Sequence, residues 1–228
     1  MPVLAPLTII IPTLNAASAL PATLDALLEG VWEGVVRQVV ISDGGSEDET
    51  HRIAEAAGAE WISGAPGRGG QIARGVAVTQ TPWVLILHAD TVLDEGWTEA
   101  VRTAFAAPDA AHHFELAFDA RGVMPGLVAG WANWRARVLG LPYGDQGLLI
   151  HRDFLDAVGG VPDLPLMEDV SLARALKGRH RQMRVRAVTS AAKFERDGWV
   201  RRGARNLTLL VRYFAGADPV KLAKAYRC

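Results

Sequence analysis

Short, unbroken apolar runs alternate with longer segments of mixed polarity through the first half of the chain. Residues 7–11, 38–42, 60–62 and 83–87 are too short for surface helices, and the last is uniformly apolar. They are expected as strands of a parallel sheet covered on both faces. Helical patterns lie between them. The first has Pro21 in its opening turn and Leu20, Leu24, Leu27 and Leu28 on one face. The second spans residues 48–57 and is closed by Gly58. A third runs from a turn with Gly64, Gly67, Gly69 and Gly70 to Val78, and a fourth covers 96–105 with Asp94 as its cap. This βαβαβαβ order implies parallel pairing with right-handed crossovers.

The second half is less regular. Residues 112–118, 146–151 and 182–188 read as strands, and 124–139, 168–177 and 199–214 as helices. Trp131 and Trp134, three apart on the first of these helices, are expected in the core rather than as a sugar platform. No repeat, low-complexity tract or linker interrupts the chain. A single domain over 1–228 is expected, with an α/β half (1–106) and a mixed half (107–228).

Composition narrows the function classes. The 228 residues are 50% hydrophobic and 21% charged, with a net charge of −1, which suits one soluble α/β domain. Near-neutral charge removes the long-range attraction of a general nucleic-acid binder, so no nucleic-acid partner is expected. The lone Cys228 allows neither an intrachain disulfide nor a thiolate metal site. Residues 1–24 lack charge, but no Lys or Arg precedes the apolar run and Pro2, Pro6 and Pro12 interrupt it, unlike a signal peptide. No apolar stretch approaches a bilayer-spanning length, and a cytoplasmic location is expected.

Ligands of open α/β sheets bind beyond the carboxyl ends of the strands, and two strands here end towards an Asp. Asp43, before Gly44-Gly45-Ser46, could accept a hydrogen bond from a base or ribose, although helix capping alone would account for it. Asp90 offers the hard oxygen that Mg²⁺ or Mn²⁺ takes while sharing substrate phosphates, or a simple turn contact in residues 90–94. His88 precedes it on the same strand face, within reach of ribose or metal. Arg68, with Gly69-Gly70-Gln71 ahead of a helix, could hold a diphosphate through its guanidinium and free amides. Glu168 and Asp169 suit a helix N-terminus for dipole reasons, and a carboxylate at a cleft edge would also serve as a general base. His112-His113 lacks metal-ligand spacing.

In order, Ile10-Ile11-Pro12-Thr13-Leu14-Asn15, Ser42-Asp43-Gly44-Gly45-Ser46, Leu87-His88-Ala89-Asp90-Thr91, Pro142-Tyr143-Gly144-Asp145-Gln146-Gly147 and Pro165-Leu166-Met167-Glu168-Asp169-Val170 resemble family 2 glycosyltransferases of the GT-A fold. The His-Ala-Asp-Thr, Tyr-Gly-Asp-Gln and Leu-Met-Glu-Asp strings are similar to one bacterial subgroup, the radical-SAM/selenodomain-associated or arsenosugar-biosynthesis type. The resemblance implies an α/β, GT-A-type nucleotide-diphospho-sugar transferase fold, with a mostly parallel central sheet flanked by helices. It also implies an inverting transferase that uses a nucleotide-diphosphate sugar and Mn²⁺ or Mg²⁺. On that basis Pro12, Thr13, Leu14 and Asn15 line the nucleotide pocket with Arg68, His88 and Ala89, and Asp43 meets the base. Asp90 holds the metal as the second Asp of an Asp-x-Asp motif, and Asp169 deprotonates the acceptor hydroxyl with Glu168 as substitute. Asp145 or Gln146 contacts the donor sugar. Four positions depart from the family pattern: His88 replaces the first Asp of the motif, Gly44 an acidic residue, Ala16 a frequent Glu and Ala73 a frequent Asn.

Two other classes fit parts of this pattern. A nucleotidyltransferase also sets carboxylates and Mg²⁺ on such a sheet, but the loop 12–18 lacks the Gly, Lys and Arg those enzymes use. A nucleotide-sugar-binding module without activity would tolerate the His88, Ala16 and Ala73 departures. Arg201, Arg202, Arg205 and Arg212 on the last long helix offer a peripheral membrane contact or a solvated basic face. The sequence specifies neither the acceptor nor the oligomeric state.

Overall fold

The structure is a computed structural model that describes residues 5–227, so Pro2 and Cys228 lie outside the described residues. The front of the chain runs β1 (Leu7–Thr13), α1 (Leu20–Trp32), β2 (Val36–Asp43), α2 (Thr50–Ala56), β3 (Glu60–Ser63), α3 (Arg68–Val78), β4 (Trp83–Ile86), β5 (Thr91–Leu93) and α4 (Trp97–Ala104). The back runs β6 (Ala111–Phe118), α5 (Val123–Leu139), a 3₁₀ turn at Gly144–Gln146, β7 (Leu148–His151), α6 (Arg152–Ala157) and α7 (Glu168–Ala175). It ends with β8 (His180–Thr189), α8 (Ala192–Asp197), α9 (Trp199–Phe214) and α10 (Pro219–Arg227). No described helix is long and apolar enough to cross a membrane.

All eight strands join one sheet in the order β3-β2-β1-β4-β7-β6-β8-β5. The first four are parallel, as their apolar runs require. Ile9 and Ile11 of β1 pack with Leu85, Trp97 and Phe114 on one face, while Ile10 packs with Val40, Ile72 and Ile86 on the other. Strands buried on both sides are mostly apolar, and the one polar residue within Leu7–Ile11, Thr8, is satisfied by hydrogen bonds to Gln38 at 3.0 Å and from Thr81 at 2.8 Å. Beyond β4 the sheet is mixed: β7 pairs antiparallel with β4 and with β6, and β8 lies parallel to β6.

Several expectations change. Leu28 is exposed rather than part of the buried face of α1. Asp94 does not cap α4; it pairs with Arg186 at 2.6 Å. The cap comes instead from Glu29 of α1, whose carboxylate accepts from the amides of Gly96 at 3.0 Å and Thr98 at 3.2 Å. Residues 91–93 form β5 through pairing with β8, not a turn. Gln146 lies in the 3₁₀ turn before β7 rather than in the strand. Trp131 and Trp134 are 50% and 42% exposed, because α5 packs Ala129, Ala132 and Ala136 inward.

Candidate active site

Two loops at the carboxyl ends of β1 and β2 are bound together. Asn15, in the left-handed region at φ 52°, donates its amide to Ser46 Oγ at 2.8 Å and accepts from the Glu47 amide at 2.9 Å. Ala16 and Ala17 donate to Thr50 Oγ1 and Asp48 Oδ2 at 2.9 and 3.0 Å. Beneath these loops lies Asp43, 1% exposed. Its carboxylate accepts from Thr13 Oγ1 at 2.8 Å, Ser46 Oγ at 2.5 Å, and the Gly45 and Ser46 amides, each at 2.7 Å. Burial pushes its pKa up, but these donors outweigh burial and leave the carboxyl below its ordinary range. Asp43 therefore ties the loops together and is absent from the cleft wall.

Gln71 does comparable work from α3. Its side-chain amide donates to the carbonyls of Thr13 at 2.7 Å and Ser42 at 2.9 Å, and its oxygen accepts from the Gly67 amide at 3.2 Å. The sequence carries no sign of this beyond a glutamine in the first turn of an otherwise ordinary helix. The glycines before it are not an open amide nest, because Arg68 already opens the helix and the Gly69 amide donates to Leu164 O at 3.2 Å. A Cβ on Gly69 would fall 2.2 Å from the Pro162 carbonyl oxygen, so glycine lets loop 162–167 lie against α3.

A cleft of about 500 Å³ opens above these loops, lined by Pro12, Thr13, Leu14, Asn15, Ala89 and Pro165, among others. It joins a second chamber of about 150 Å³ that holds Asp145 and Asp169. Arg68, His88, Asp90 and Lys193 border both. Small-ligand sites run to roughly 300–1,000 Å³, so the cleft has room for a ligand of nucleotide size, and the smaller chamber continues from it.

His88 and Asp90 sit in a turn beyond β4, closed by the Thr91 amide on His88 O at 3.2 Å, rather than on one strand face. Burial and the nearby Arg68 charge push the His88 pKa down to about 4, so the imidazole is neutral at physiological pH. Its Nε2 is buried without a hydrogen-bond partner, and a Cβ on Gly144 would lie 2.5 Å from it. Asp90 is half-buried, and its Oδ2 lies 3.3 Å from Lys193 Nζ. Burial raises its pKa, but the Lys193 charge and hydrogen bond, His88 and a backbone amide together outweigh that, and the carboxylate stays ionised below its ordinary range. Lys193 had no sequence signature, as it comes from the short α8 near the other end of the chain.

Among the described residues no group of three or more His, Cys, Asp or Glu is placed to hold a metal. A divalent ion at Asp90 would complete its shell from substrate phosphates and water, the usual manner of Mg²⁺. The residues fit such an ion, for Asp90 already presents an oxygen to a cation, Lys193, at the junction of the two chambers.

Asp169 accepts from the Gly144 amide at 3.0 Å and from its own helix at Val170, 2.7 Å, and it faces the second chamber. Glu168 beside it is 2% exposed and points to Arg68, with Oε1 3.3 Å from Nη1 and Oε2 unpartnered. Burial and the Asp169 charge push Glu168 up to about 7, against the pull of Arg68. Met167, in the left-handed region at φ 66°, stands at the N-terminal cap of α7 just before them. Asp145 lines the same chamber, and burial pushes its pKa up to about 6. Gln146, in contrast, is fully buried. Its amide donates to Phe114 O at 3.3 Å and Asn133 Oδ1 at 3.2 Å, and its oxygen accepts from Tyr143 N at 3.3 Å, so it cannot reach a donor sugar.

Asp90 and Asp169 thus meet at one opening, while Asp43 braces its floor. Residues 8–120 match the family described as Glycosyl transferase family 2. The uncharacterized glycosyltransferase Rv0539 of Mycobacterium tuberculosis is 32% identical over 90 residues, 39% of this chain and 38% of the relative. Its counterpart Mb0553 in Mycobacterium bovis matches to the same extent, so the likeness spans little more than a third of these relatives' length. Among solved structures, glucosyl-3-phosphoglycerate synthase of Mycobacterium tuberculosis with Mn²⁺ and UDP-glucose superposes with a TM-score of 0.58 at 19% identity, over 80% of this chain and 69% of that one. TarS of S. aureus superposes with a TM-score of 0.62 at 17% identity, over 82% of this chain and 37% of that one. The fold is GT-A.

Proposed function

We propose that this chain, whose residues 8–120 carry a family 2 glycosyl transferase domain, moves a sugar from a nucleotide-diphosphate sugar to an acceptor hydroxyl with inversion at the anomeric carbon. The observation that carries this is the junction of a nucleotide-sized cleft with the chamber of Asp145 and Asp169 at Arg68, His88, Asp90 and Lys193. In this assignment the nucleotide lies along the 12–15 loop and Ala89, with Asp43 and Gln71 holding that wall in place. Arg68 and Lys193 face the diphosphate, and His88 lines the junction beside them with its Nε2 turned towards Gly144. Mn²⁺ or Mg²⁺ held by Asp90 would neutralise charge on the departing diphosphate. The fold neighbour named with Mn²⁺ and UDP-glucose supports that ion and that class of donor.

Asp169 takes the acceptor proton as the acceptor oxygen bonds to the anomeric carbon and the bond to the diphosphate oxygen breaks. Its Gly144 hydrogen bond fixes one carboxylate oxygen in direction. Glu168 is a positioning residue for Arg68, being buried against it, and Asp145 takes the donor-sugar contact first shared with Gln146. The finer likeness to the radical-SAM/arsenosugar subgroup rests on three short sequence strings.

The test is nucleotide-sugar turnover and nucleotide affinity in two variants. Asp169→Asn is expected to keep nucleotide binding and lose about 10²–10⁴-fold in turnover, the usual share of a general base. Asp90→Asn is expected to lose Mn²⁺-dependent nucleotide binding. Near wild-type turnover by Asp169→Asn would remove it from the chemistry.

A further inference from the structure

The helix α5 is amphipathic in the wrong sense for a buried helix. It packs small residues, Ala129, Ala132 and Ala136, inward and turns Leu127, Trp131, Trp134 and Val138 to solvent. A helix of a globular domain normally buries its large apolar side chains. Trp131 and Trp134 stack on each other, with centroids 5.1 Å apart, instead of on the protein. The neighbouring helix α9 packs against α5 and repeats the pattern with exposed Leu207, Val211 and Phe214 at helical spacing.

Charge decides what such a face meets. Neither α5 nor α9 contains an Asp or Glu, although the whole chain has 25 acidic against 24 basic residues. Arg202 is buried against Asp197 and Tyr226, and Arg205 is spent on the Ala225 and Tyr226 carbonyls. Arg137 and Arg212 are left exposed on these two helices, while Arg201 borders a pocket with Arg68 and Lys193. A second copy of the chain would bring a like-charged face against this one, which is unfavourable. Exposed aromatics on helices whose only charged residues are arginines match the headgroup region of an anionic lipid leaflet. Trp32 at the end of α1 is more exposed, at 80%, but stands between Glu29 and Glu33 and lacks this character.

We propose that α5 and α9 form a docking face for an anionic membrane surface. The other side of α9, with Arg202, Asn206 and Leu209, lines the chamber of Asp90 and Asp169. Docking would set that chamber about one helix diameter, roughly 10 Å, from the lipid. The docking face rests on different residues from the transfer chemistry, so either stands if the other fails.

The experiment is vesicle flotation of the full chain with phosphatidylcholine alone or mixed with phosphatidylglycerol. Binding is expected only to the mixed vesicles, and to weaken at about 0.5 M salt as charges are screened. The double variant Trp131→Ser/Trp134→Ser is expected to bind about tenfold or more weakly, with unchanged thermal stability, because two half-exposed indoles leave the interface. Trp32→Ser is expected to bind like wild type. Failure to float with the mixed vesicles, equal binding to neutral ones, or equal partition of the double variant would each overturn the proposal. So would a dimer in sedimentation velocity that the double variant abolishes, since the second copy would then be the occupant.

Discussion

Replacing Glu168 by Gln should change stability in a pH-dependent way. The carboxyl is 2% exposed, has one oxygen unpartnered and sits beside Asp169, so burial and like charge raise it from 4.5 to about 7. Between those values the folded chain holds a proton that the unfolded chain has released. Stability from this group is therefore complete below about pH 4.5, declines as pH rises, and is gone above about pH 7. At about 1.4 kcal/mol for each tenfold, the loss is on the order of 3 kcal/mol. Gln cannot ionise, so Glu168→Gln should resemble wild type at pH 5 and gain on the order of 2–3 kcal/mol over it at pH 8. Arg68 loses its partner but is 38% exposed, so water can take over. Urea denaturation of both proteins at the two pH values measures the difference, from which the titrations of His88 and Asp145 cancel. An offset between variant and wild type that is equal at pH 5 and pH 8 would refute the reasoning.

Gly69→Ala should destabilise the fold by about 1–3 kcal/mol and depress turnover further, because its Cβ meets the backbone of Pro162 and Leu164 and displaces the loop leading to Asp169. Gly126→Ala, on the exposed side of α5 with open space around it, is the control and should be neutral or slightly stabilising in melting experiments. Gln71→Ala removes two buried hydrogen bonds and one half-buried one and should cost about 2–3 kcal/mol in chemical denaturation, with weaker nucleotide binding. A cost below about 0.5 kcal/mol would show that the amide does not hold the loops together.

The parallel half of the fold was legible because a strand buried on both faces leaves an unmistakable apolar run, as in β1 and β4. The mixed half was not. Strand β5 is three residues long and exists through its pairing with β8, nearly a hundred positions away. The antiparallel insertion of β7 between β4 and β6 is a choice of topology, which local pattern does not encode. For α5, the spacing of Trp131 and Trp134 marked a shared face without saying whether it points inward; the alanines at 129, 132 and 136 carried that information. In the site, Asp90 and Asp169 were readable from their motifs, and the structure brings them together. Gln146 was misplaced because a polar residue in a loop motif looks exposed, whereas here its amide is consumed by Phe114, Asn133 and Tyr143. Gln71 and Lys193 act across long sequence separations and left no local trace.

The most direct test of the account is a crystal structure with a nucleoside diphosphate and Mn²⁺, with the metal located by its anomalous scattering. The account predicts a peak bonded to Asp90 and to the diphosphate, with Lys193 displaced from the carboxylate and Asp169 open to the chamber beyond. A diphosphate bound elsewhere, or a metal peak with no bond to Asp90, would contradict it.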